Sequence, residues 1–273
     1  MNDFFKDKVC IVTGSSRGIG KTIAKDLASK GSCIVLNGRN RDSLDSTFQE
    51  VENITGKGRV IKVCSDVGQG NGAEELINKT LDHFKGIDIL INNAGVSMRG
   101  ALAEIKPLAV EKVIHSNVHG AILPTIYSLP HLRKSQGSIV FISSLAAIRG
   151  LPYLSIYSAS KMALRGIAEA IRIEEHEHDI HVGMIYVGFT ENEESKRVIG
   201  SDGKPMPLNK RDSKKALSRE TVSKAVLKNI QNRRFITTMT AEGKINGFIN
   251  SIIPGFVEWM VLKSIDKFRD RLK

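Results

Sequence analysis

The amino-acid sequence predicts a doubly wound α/β fold, with helices on both faces of one parallel β-sheet. Short apolar runs alternate with longer amphipathic stretches from residue 8 to residue 188. The apolar runs are unbroken, which is typical of parallel strands that are buried on both faces. The chain has 273 residues with 41% hydrophobic content, and no repeat or linker divides it. We therefore expect residues 1–273 to form a single domain around one sizeable core.

The apolar runs predict seven strands. The first run, KVCIVTG, ends in a glycine at the point where the chain turns into a helix. Short length and flanking turn residues favour strands over buried helices. The predicted strands are residues 8–14, 33–38, 59–66, 87–95, 137–144, 180–188 and 234–239.

Helices are predicted where apolar residues recur at helical spacing. In the first of them Ile19, Ile23 and Leu27 share one face, and Gly31 ends the helix. The predicted helices are residues 18–31, 41–55, 72–85, 107–132, 155–176 and 219–232.

The regular alternation ends after residue 188. Residues 189–217 are charged, contain Gly and Pro, and are long for a connection, so we expect a lid over the substrate site. Residues 242–273 form a C-terminal amphipathic extension. Its polar residues, its Pro254-Gly255 pair and Glu258 argue against a membrane-spanning helix.

Two roles remain open for this extension. Its apolar residues at helical spacing are Val257, Val261, Ile265, Phe268 and Leu272, and the basic residues elsewhere around that helix are Lys263, Lys267, Arg269 and Arg271. Basic amphipathic helices lie on anionic membrane surfaces, so peripheral membrane contact is one hypothesis. The other is that the extension packs over the substrate cleft or against a second subunit. Either role favours a lipophilic substrate, framed by Phe189, Ile199, Met206 and the extension.

Charge and cysteine content limit the partners and the compartment. The net charge is +11, of which residues 191–273 supply +8 from 18 Lys and Arg against 10 Asp and Glu. Such an excess suits anionic lipid, nucleic acid or an acidic carrier, or is only a solvated face. The sequence MNDFFKDKVC lacks a signal-peptide pattern, and Cys10, Cys33 and Cys64 are expected to be buried strand residues without disulfides. We expect a cytoplasmic protein, with the membrane surface as the alternative location.

Three glycines lie where the first strand becomes the first helix. Gly14, Gly18 and Gly20 allow a tight turn and let a pyrophosphate approach the helix N-terminus. Their spacing, G-x-x-x-G-x-G, differs from the common dinucleotide fingerprint G-x-G-x-x-G. The rival is a P-loop ending in Gly20, Lys21 and Thr22, but that loop needs glycine at position 15, which is serine. We therefore favour a dinucleotide site, with Lys21 on the helix surface.

The residues at the end of the second predicted strand would distinguish NAD from NADP. An acidic residue there would bind a ribose hydroxyl and repel a 2′-phosphate. The sequence instead has Asn37, Gly38 and Arg39, and Arg17 lies in the glycine turn. A guanidinium binds phosphate oxygens in a bidentate manner. We therefore predict NADP(H), the alternative being two arginines that only face solvent.

Ser144, Tyr157 and Lys161 are the candidate catalytic residues. Tyr157 and Lys161 are four residues apart on one predicted helix, and Ser144 ends the fifth strand at the ligand-binding edge of the sheet. A tyrosine hydroxyl can protonate a ketone oxygen, and a nearby ammonium favours the tyrosinate needed for the reverse reaction. A serine hydroxyl can hold the substrate oxygen. The set predicts interconversion of a ketone and a secondary alcohol, with hydride chemistry supplied by the cofactor.

Four motifs in this order resemble the short-chain dehydrogenase/reductase family. They are TGSSRGIG at 13–20, Asp66 after the third strand, NNAG at 92–95, and Ser144 with Tyr157-x-x-x-Lys161. The resemblance covers residues 8–188. It implies a Rossmann-like fold, an NADP(H)-dependent oxidoreductase acting on a small-molecule carbonyl or alcohol, and a homodimer or homotetramer.

The resemblance also implies roles for individual residues. Asn117, in HSNVHG, would be the fourth catalytic residue, supporting a water-linked proton relay to the lysine. Asp66 would contact the adenine and Asn93 would line the cofactor cleft. The implied and predicted cofactor-binding residues together are Gly14, Ser16, Arg17, Gly18, Ile19, Gly20, Arg39, Asp66, Val67, Asn93, Ala94, Gly95, Tyr157, Lys161, Gly188 and Thr190.

One stretch departs from the family pattern. The family follows the sixth strand with Pro-Gly and a later threonine, whereas this chain has Val187, Gly188, Phe189 and Thr190. Either Thr190 or Asn192 would then contact the nicotinamide amide.

Other functions are less favoured. A non-catalytic dinucleotide-binding regulatory or scaffold protein on the same fold would not need the Ser-Tyr-Lys set. Glu111, His115 and His119 could face one way on a helix, but no fourth ligand is evident, so we predict no metal site. The basic C-terminal part contains no recognisable nucleic-acid-binding module and few aromatic residues, so we expect no nucleic-acid partner.

Overall fold

A seven-stranded sheet forms the centre of the molecule. The computed structural model describes residues 3–191, 197–207 and 216–269. The strands are β1 Val9–Val12, β2 Cys33–Gly38, β3 Val60–Cys64, β4 Ile89–Asn92, β5 Ser138–Ser144, β6 His181–Val187, β7 Arg197–Ile199, β8 Pro205–Pro207 and β9 Ile236–Thr238. The large sheet has the strand order β3-β2-β1-β4-β5-β6-β9. All of its neighbouring strands are parallel, which confirms the predicted fold class.

Ten α-helices can be followed in the described ranges. They are α1 Gly18–Ser29, α2 Arg41–Thr55, α3 Gly70–Phe84, α4 Pro107–Ile114, α5 Gly120–Ser135, α6 Ser155–Glu174, α7 Arg219–Gln231, α8 Ala241–Ile252, α9 Pro254–Lys263 and α10 Ile265–Arg269. None of these described helices has both the length and the apolar character needed to cross a bilayer.

The core lies on both faces of the sheet because successive strand residues point to opposite sides. On β1, Cys10 and Val12 join one buried cluster, whereas Val9 and Ile11 join the other. Both faces of the sheet therefore carry buried apolar side chains, as the unbroken apolar runs predict. The strand order reverses between β1 and β4, and open α/β sheets bind ligands at the carboxyl ends of the strands at such a point.

Three sequence predictions need correction. The predicted helix over 107–132 is two helices, α4 and α5, joined by a π-helical turn at His115–His119. Within the predicted lid, β7 and β8 pair as a small antiparallel hairpin that the charged sequence did not indicate. The helix predicted from the spacing of Val257 to Leu272 is divided by a turn at Ser264 into α9 and α10, and its last residues lie outside the described ranges.

The cysteine prediction was correct for one residue and wrong for another. Cys10 is buried in β1, but Cys64, the last residue of β3, is exposed, and Cys33 is only half-buried. Cys64 belongs to β3, which lies at the edge of the seven-stranded sheet and has exposed residues along its length. All three thiols are free, as predicted.

Candidate active site

The glycine turn after β1 brings backbone close to backbone. Gly14 has a φ of +62°, and a Cβ on it would lie 2.9 Å from the Cα of Ala94. A side chain at Gly20 would overlap the amide of Asn93. Gly18, with a φ of +58°, has no atom within 4 Å of where its Cβ would be. The turn thus packs against the segment that follows β4, but its backbone at Gly18, where α1 begins, is accessible. A helix N-terminus that binds an anion requires such access.

Asn93 of the NNAG motif holds this turn in place. Its side-chain amide donates to the carbonyl oxygens of Thr13 and Gly14, at 2.9 and 3.1 Å. The Thr13 hydroxyl in turn accepts from the backbone N–H groups of Asn93 and Ala94, both at 3.0 Å. These hydrogen bonds give the NNAG motif after β4 a structural role, which is to hold the glycine turn in position.

The end of β2 carries no acidic side chain. Asn37 is buried and donates to the carbonyl oxygens of Val63 and Ser65, so its amide is used within the sheet. Arg39, two residues later, is exposed on the cleft wall, as is Arg17 in the glycine turn. The structure therefore places both predicted phosphate-binding guanidiniums along the same cleft.

Asp66 is fixed by three neighbours. Its carboxylate accepts from the Gly68 N–H at 3.0 Å, contacts the His115 ring nitrogen at 3.2 Å and lies 3.5 Å from the Arg39 guanidinium. Burial alone would raise the pKa of Asp66, but the Gly68 hydrogen bond, His115 and Arg39 outweigh it and hold the pKa below its usual value. The carboxylate is therefore ionised at neutral pH. His115, which sequence analysis weighed only as a metal ligand, instead contacts Asp66.

Lys161 is buried beside the carboxyl end of β5. Its ammonium donates to the carbonyl oxygen of Ile142 at 3.0 Å, and only 6% of the residue is exposed. Burial lowers the pKa of Lys161 to about 8, so the side chain is still largely protonated at pH 7. The carbonyl gives this buried charge an acceptor, and the cleft gives it access to a ligand.

Ser144 and Tyr157 lie on the same cleft wall as Lys161. Ser144 is the last residue of β5, and its hydroxyl accepts from the Ala146 N–H at 3.2 Å. That contact fixes the start of the 3₁₀ turn Leu145–Ala147. Tyr157 and Lys161 are one helical turn apart on α6, which begins at Ser155. The strand end and the first two turns of one helix thus bring the three side chains to one wall.

Asn117 lies behind this wall rather than in it. It sits fully buried in the π-helical turn, where its side-chain oxygen accepts from the Val96 N–H at 2.7 Å. Its amide donates to the Val96 carbonyl and to the Ser160 hydroxyl, each at 2.9 Å. The side chain therefore ties α6 and the segment after β4 together. The predicted proton relay through this asparagine stays a prediction.

Gly95 separates Asn117 from Lys161. A Cβ there would lie 2.9 Å from the Asn117 side-chain oxygen and 3.4 Å from the Lys161 ammonium. We expect Gly95→Ala to displace one of the two, to destabilise the protein by about 1–3 kcal/mol and to lower turnover. Thermal unfolding and steady-state kinetics would measure both effects. Gly150→Ala is the control, since a Cβ there meets nothing within 4 Å; equal behaviour of the two variants would contradict the prediction.

Ser144, Tyr157 and Lys161 line one cleft of about 1370 Å³. Of the predicted cofactor-binding residues, all but Gly20 line it, including Val67, Gly188 and the buried Thr190. Asn192, the alternative to Thr190, falls outside the described residues. Gly20 is covered by Asn93 and shapes the turn instead of facing the cleft.

The far side of the cleft is built by the extension. Val257, Met260, Val261, Ser264 and Phe268 line it, so the predicted apolar helix face at Val257 and Val261 points inward. Leu272, Arg271 and the side chain of Lys267 lie outside the described residues. The extension thus forms part of the cleft wall.

Of the three residues predicted to frame the substrate pocket, two do not line the cleft in the structure. Phe189 lines the cleft, but Ile199 does not; it belongs to β7 and packs with Met98 and Val113 in a separate small cluster. Met206, on β8, is also absent from the cleft wall. The β7–β8 hairpin accounts for both errors, because it folds part of the predicted lid against the body of the protein.

Arg149 is a cleft residue that sequence analysis missed. Its guanidinium donates to the Asn250 side chain at 2.8 Å and the Pro254 carbonyl at 3.0 Å, and it pairs with Glu258 at 3.3 Å. The arginine therefore fastens α8 and α9 to the segment that follows Ser144. No local pattern marks it, since its partners lie about a hundred residues further along the chain.

Metal binding finds no support in the parts of the chain that the structure describes. No group of three or more His, Cys, Asp or Glu side chains there is arranged to hold an ion. The His115 and His119 rings lie edge to face, with centroids 6.0 Å apart.

Comparison with known proteins decides the family. The family profile described as short chain dehydrogenase matches residues 8–201, which is well over half of the chain. The chain belongs to the short-chain dehydrogenase family. Membership supports an oxidoreductase that acts on hydroxyl and carbonyl groups.

Individual relatives agree with this placement. The chain is 29% identical over 267 residues to 11-beta-hydroxysteroid dehydrogenase 1A of Arabidopsis thaliana, covering 92% of this chain and 74% of that protein. It is 32% identical over 208 residues to dehydrogenase/reductase SDR family member 7B of Bos taurus, covering 74% and 64% of the two chains.

Solved structures share the fold of this dehydrogenase. An alcohol dehydrogenase from Thermococcus sibiricus, complexed with 5-hydroxy-NADP, aligns with a TM-score of 0.75 at 25% identity, covering 85% of this chain and 96% of that chain. A short chain dehydrogenase/reductase from Burkholderia phymatum, in complex with NAD, aligns with a TM-score of 0.79 at 23% identity, covering 90% and 94%.

Proposed function

We propose that this protein is an NADP(H)-dependent oxidoreductase that interconverts a lipophilic ketone and its secondary alcohol. The observation that carries the proposal is the convergence of Ser144, Tyr157 and Lys161 on one wall of the cleft that begins at the glycine turn. A non-catalytic nucleotide-binding protein on this fold would have no use for a buried lysine beside a tyrosine.

The cleft has the features that a dinucleotide needs. The open backbone at Gly18, at the start of α1, suits a pyrophosphate, and ionised Asp66 lies where the adenine would reach. Arg17 and Arg39 would hold a 2′-phosphate, and Lys161 would hold the nicotinamide ribose. The bound cofactor would supply or accept the hydride.

The chain's own residues would control the proton and the substrate oxygen. The Ser144 hydroxyl holds the carbonyl oxygen, and the Tyr157 hydroxyl donates the proton that becomes part of the alcohol. The Lys161 ammonium stabilises the phenolate that remains. Asn117 keeps Gly95 and the start of α6 in register, so the geometry of Tyr157 depends on it.

A lipophilic substrate fits the walls of the cleft. Its substrate end is formed by Leu145, Ile148, Phe189 and the inner face of the extension, which are mostly apolar. The relatives named hydroxysteroid dehydrogenases support the same class, and lipid-like, 3-oxoacyl and steroid-like ketones are the candidates. Assembly as a homodimer or homotetramer and a cytoplasmic location, at or away from a membrane surface, belong to the same proposal.

The first experiment is a titration of the purified protein with NADPH and separately with NADH, followed by nicotinamide fluorescence. Tighter binding of NADPH, and NADPH-dependent reduction of apolar ketones in a substrate screen, would support the proposal. Activity confined to small hydrophilic ketones or sugars would contradict the substrate class. Binding of neither cofactor would favour the non-catalytic alternative.

Arg39 should determine much of the preference for NADPH. We expect Arg39→Gln to weaken NADPH binding about 10- to 100-fold and to leave NADH binding nearly unchanged, because only NADPH offers a phosphate to that guanidinium. Fluorescence titration of both cofactors measures the ratio. Arg41→Gln is the matched control, since Arg41 is close by on α2 but does not line the cleft. Equal losses for the two cofactors would show that Arg39 acts only through Asp66.

A further inference from the structure

We infer that the outer face of α8 and α9 is a docking surface for an anionic lipid bilayer. This outer face consists of seven large apolar side chains that are 46% to 68% exposed: Ile245, Phe248, Ile252, Ile253, Phe256, Trp259 and Leu262. Across the described residues, fifteen large apolar side chains are exposed, and these seven fall within 18 consecutive positions.

The two faces of α8 differ in their surroundings, since one packs against the protein and the other is exposed. Gly243 and Gly247 face the body of the protein, where Cβ atoms on them would meet side-chain atoms of Leu145 and Ile148. Ile245, Phe248 and Ile252 are spaced three and four residues apart and are exposed. The helix is therefore held by its small residues and presents its large ones to the surroundings.

The same division continues along α9. Val257, Met260 and Val261 line the cleft, whereas Phe256 and Trp259 lie on the exposed side and stack with ring centroids 5.8 Å apart. The face predicted from sequence to meet a membrane is thus the inner one, and the opposite face is free to do so. A soluble protein gains nothing from leaving so many large apolar groups in water.

The face itself carries little charge, and the chain as a whole is basic. Between residues 245 and 262 the only charged residue is Glu258, and Arg149 pairs with it. The Lys263 ammonium lies 3.8 Å from the centre of the Trp259 ring, at the edge of the apolar face. Aromatic rings with a bordering lysine are typical of side chains at the level of lipid headgroups. The net charge of +11, concentrated after residue 190, adds long-range attraction to anionic lipid.

These features favour lipid over a second copy of the chain. Two copies meeting through this face would bring together two chains that each carry a net charge of +11. An anionic bilayer removes that repulsion and accepts the apolar face without requiring a complementary shape.

Vesicle flotation tests the inference without any need for turnover, so its failure is separate from failure of the proposed oxidoreductase function. We expect the full chain to float with vesicles of equal parts phosphatidylcholine and phosphatidylserine, and more weakly with phosphatidylcholine alone. Emission from Trp259, the sole tryptophan, should shift to shorter wavelength on addition of the mixed vesicles. Absence of both responses would overturn the inference.

Surface variants identify the face that binds. Phe256→Ser/Trp259→Ser should reduce binding to mixed vesicles at least about 10-fold, and Phe248→Ser/Ile252→Ser should do the same independently. None of these four residues lines the cleft, so NADPH affinity should be retained and reports on folding. Ile54→Ser, an exposed apolar residue at the end of α2, is the matched control and should bind like the wild type.

Two results would reject the lipid assignment. One is flotation of both double variants at the wild-type level. The other is a fall in sedimentation mass caused by the double variants, which would show that the face joins two copies of the chain.

Discussion

Tyr157→Phe should lower kcat for ketone reduction by about 10²- to 10⁴-fold, because the variant keeps the ring but removes the hydroxyl that donates the proton. Cofactor affinity should change little, since Lys161, the glycine turn and both arginines remain. Steady-state kinetics with NADPH and a titration of NADPH by fluorescence measure the two quantities on one preparation. A loss confined to kcat identifies a chemical role, whereas parallel losses in binding would indicate a damaged cleft.

Tyr153→Phe is the matched control for this prediction. Tyr153 also lines the cleft, and its hydroxyl lies 3.5 Å from the Arg269 side chain rather than beside Lys161. Its replacement should leave turnover near the wild-type value. Retained activity in Tyr157→Phe, or an equal loss in Tyr153→Phe, would refute Tyr157 as the proton donor.

Lys161→Met should also remove most of the turnover, because the phenolate would lose its neighbouring ammonium and the nicotinamide ribose would lose a donor. Methionine has a similar length and suits a buried site. Unlike Tyr157→Phe, this variant should weaken cofactor binding as well as kcat. The two variants therefore separate the proton donor from the residue that serves both proton and cofactor.

The same lysine makes a prediction about stability and pH. In the folded protein without cofactor, burial lowers the pKa of Lys161 to about 8 from an ordinary value of 10.5. Between these two pH values the unfolded chain binds the proton and the folded chain does not, so stability rises with pH in that window. The gain attributable to Lys161 is about 3 kcal/mol in total and is absent below pH 8.

Comparison of variants separates the contribution of Lys161 to the free energy of unfolding from the contributions of other groups that titrate at high pH. The free energy of unfolding of the wild type minus that of Lys161→Met should increase from about pH 8 to about pH 10.5. Lys228→Met, at an exposed position in the last turn of α7, should show no such increase. A flat difference for Lys161→Met would mean that the folded state keeps the lysine charged throughout.

The fold was predictable because its signals are local and repeated. Each buried strand is an unbroken apolar run, and each crossover helix has apolar residues at helical spacing, so the two periods alternate visibly along the chain. The glycine turn and the pair Tyr157 and Lys161 are equally local. Their joint order therefore predicts the family from the sequence alone.

Features that depend on distant contacts were not predictable. The π-helical turn has no proline or glycine among HSNVH to mark it; it is accompanied by hydrogen bonds from Asn117 to Val96 and Ser160. Arg149 gains its role from Asn250 and Glu258, about a hundred residues away. The exposure of Cys64 follows from the position of β3 at the edge of the sheet, which the sequence of one strand does not record.

The apolar face of the extension that the sequence predicted to meet a membrane lines the cleft instead, and the reason is related. Helical spacing correctly groups Val257 and Val261, but it does not say whether their common face meets solvent, lipid or protein. The small residues of α8 were the available clue, because Gly243 and Gly247 mark the side on which a neighbour comes close.

Ser144 and Arg149 are only five positions apart, on a segment that contains one 3₁₀ turn. The hydroxyl that aligns the substrate and the guanidinium that fastens its cover are therefore mechanically linked. A displacement of α8 and α9 would act, through Arg149, on the segment that follows Ser144. We therefore expect the entry of a ligand beneath the extension and the alignment of its oxygen at Ser144 to be coupled through this segment.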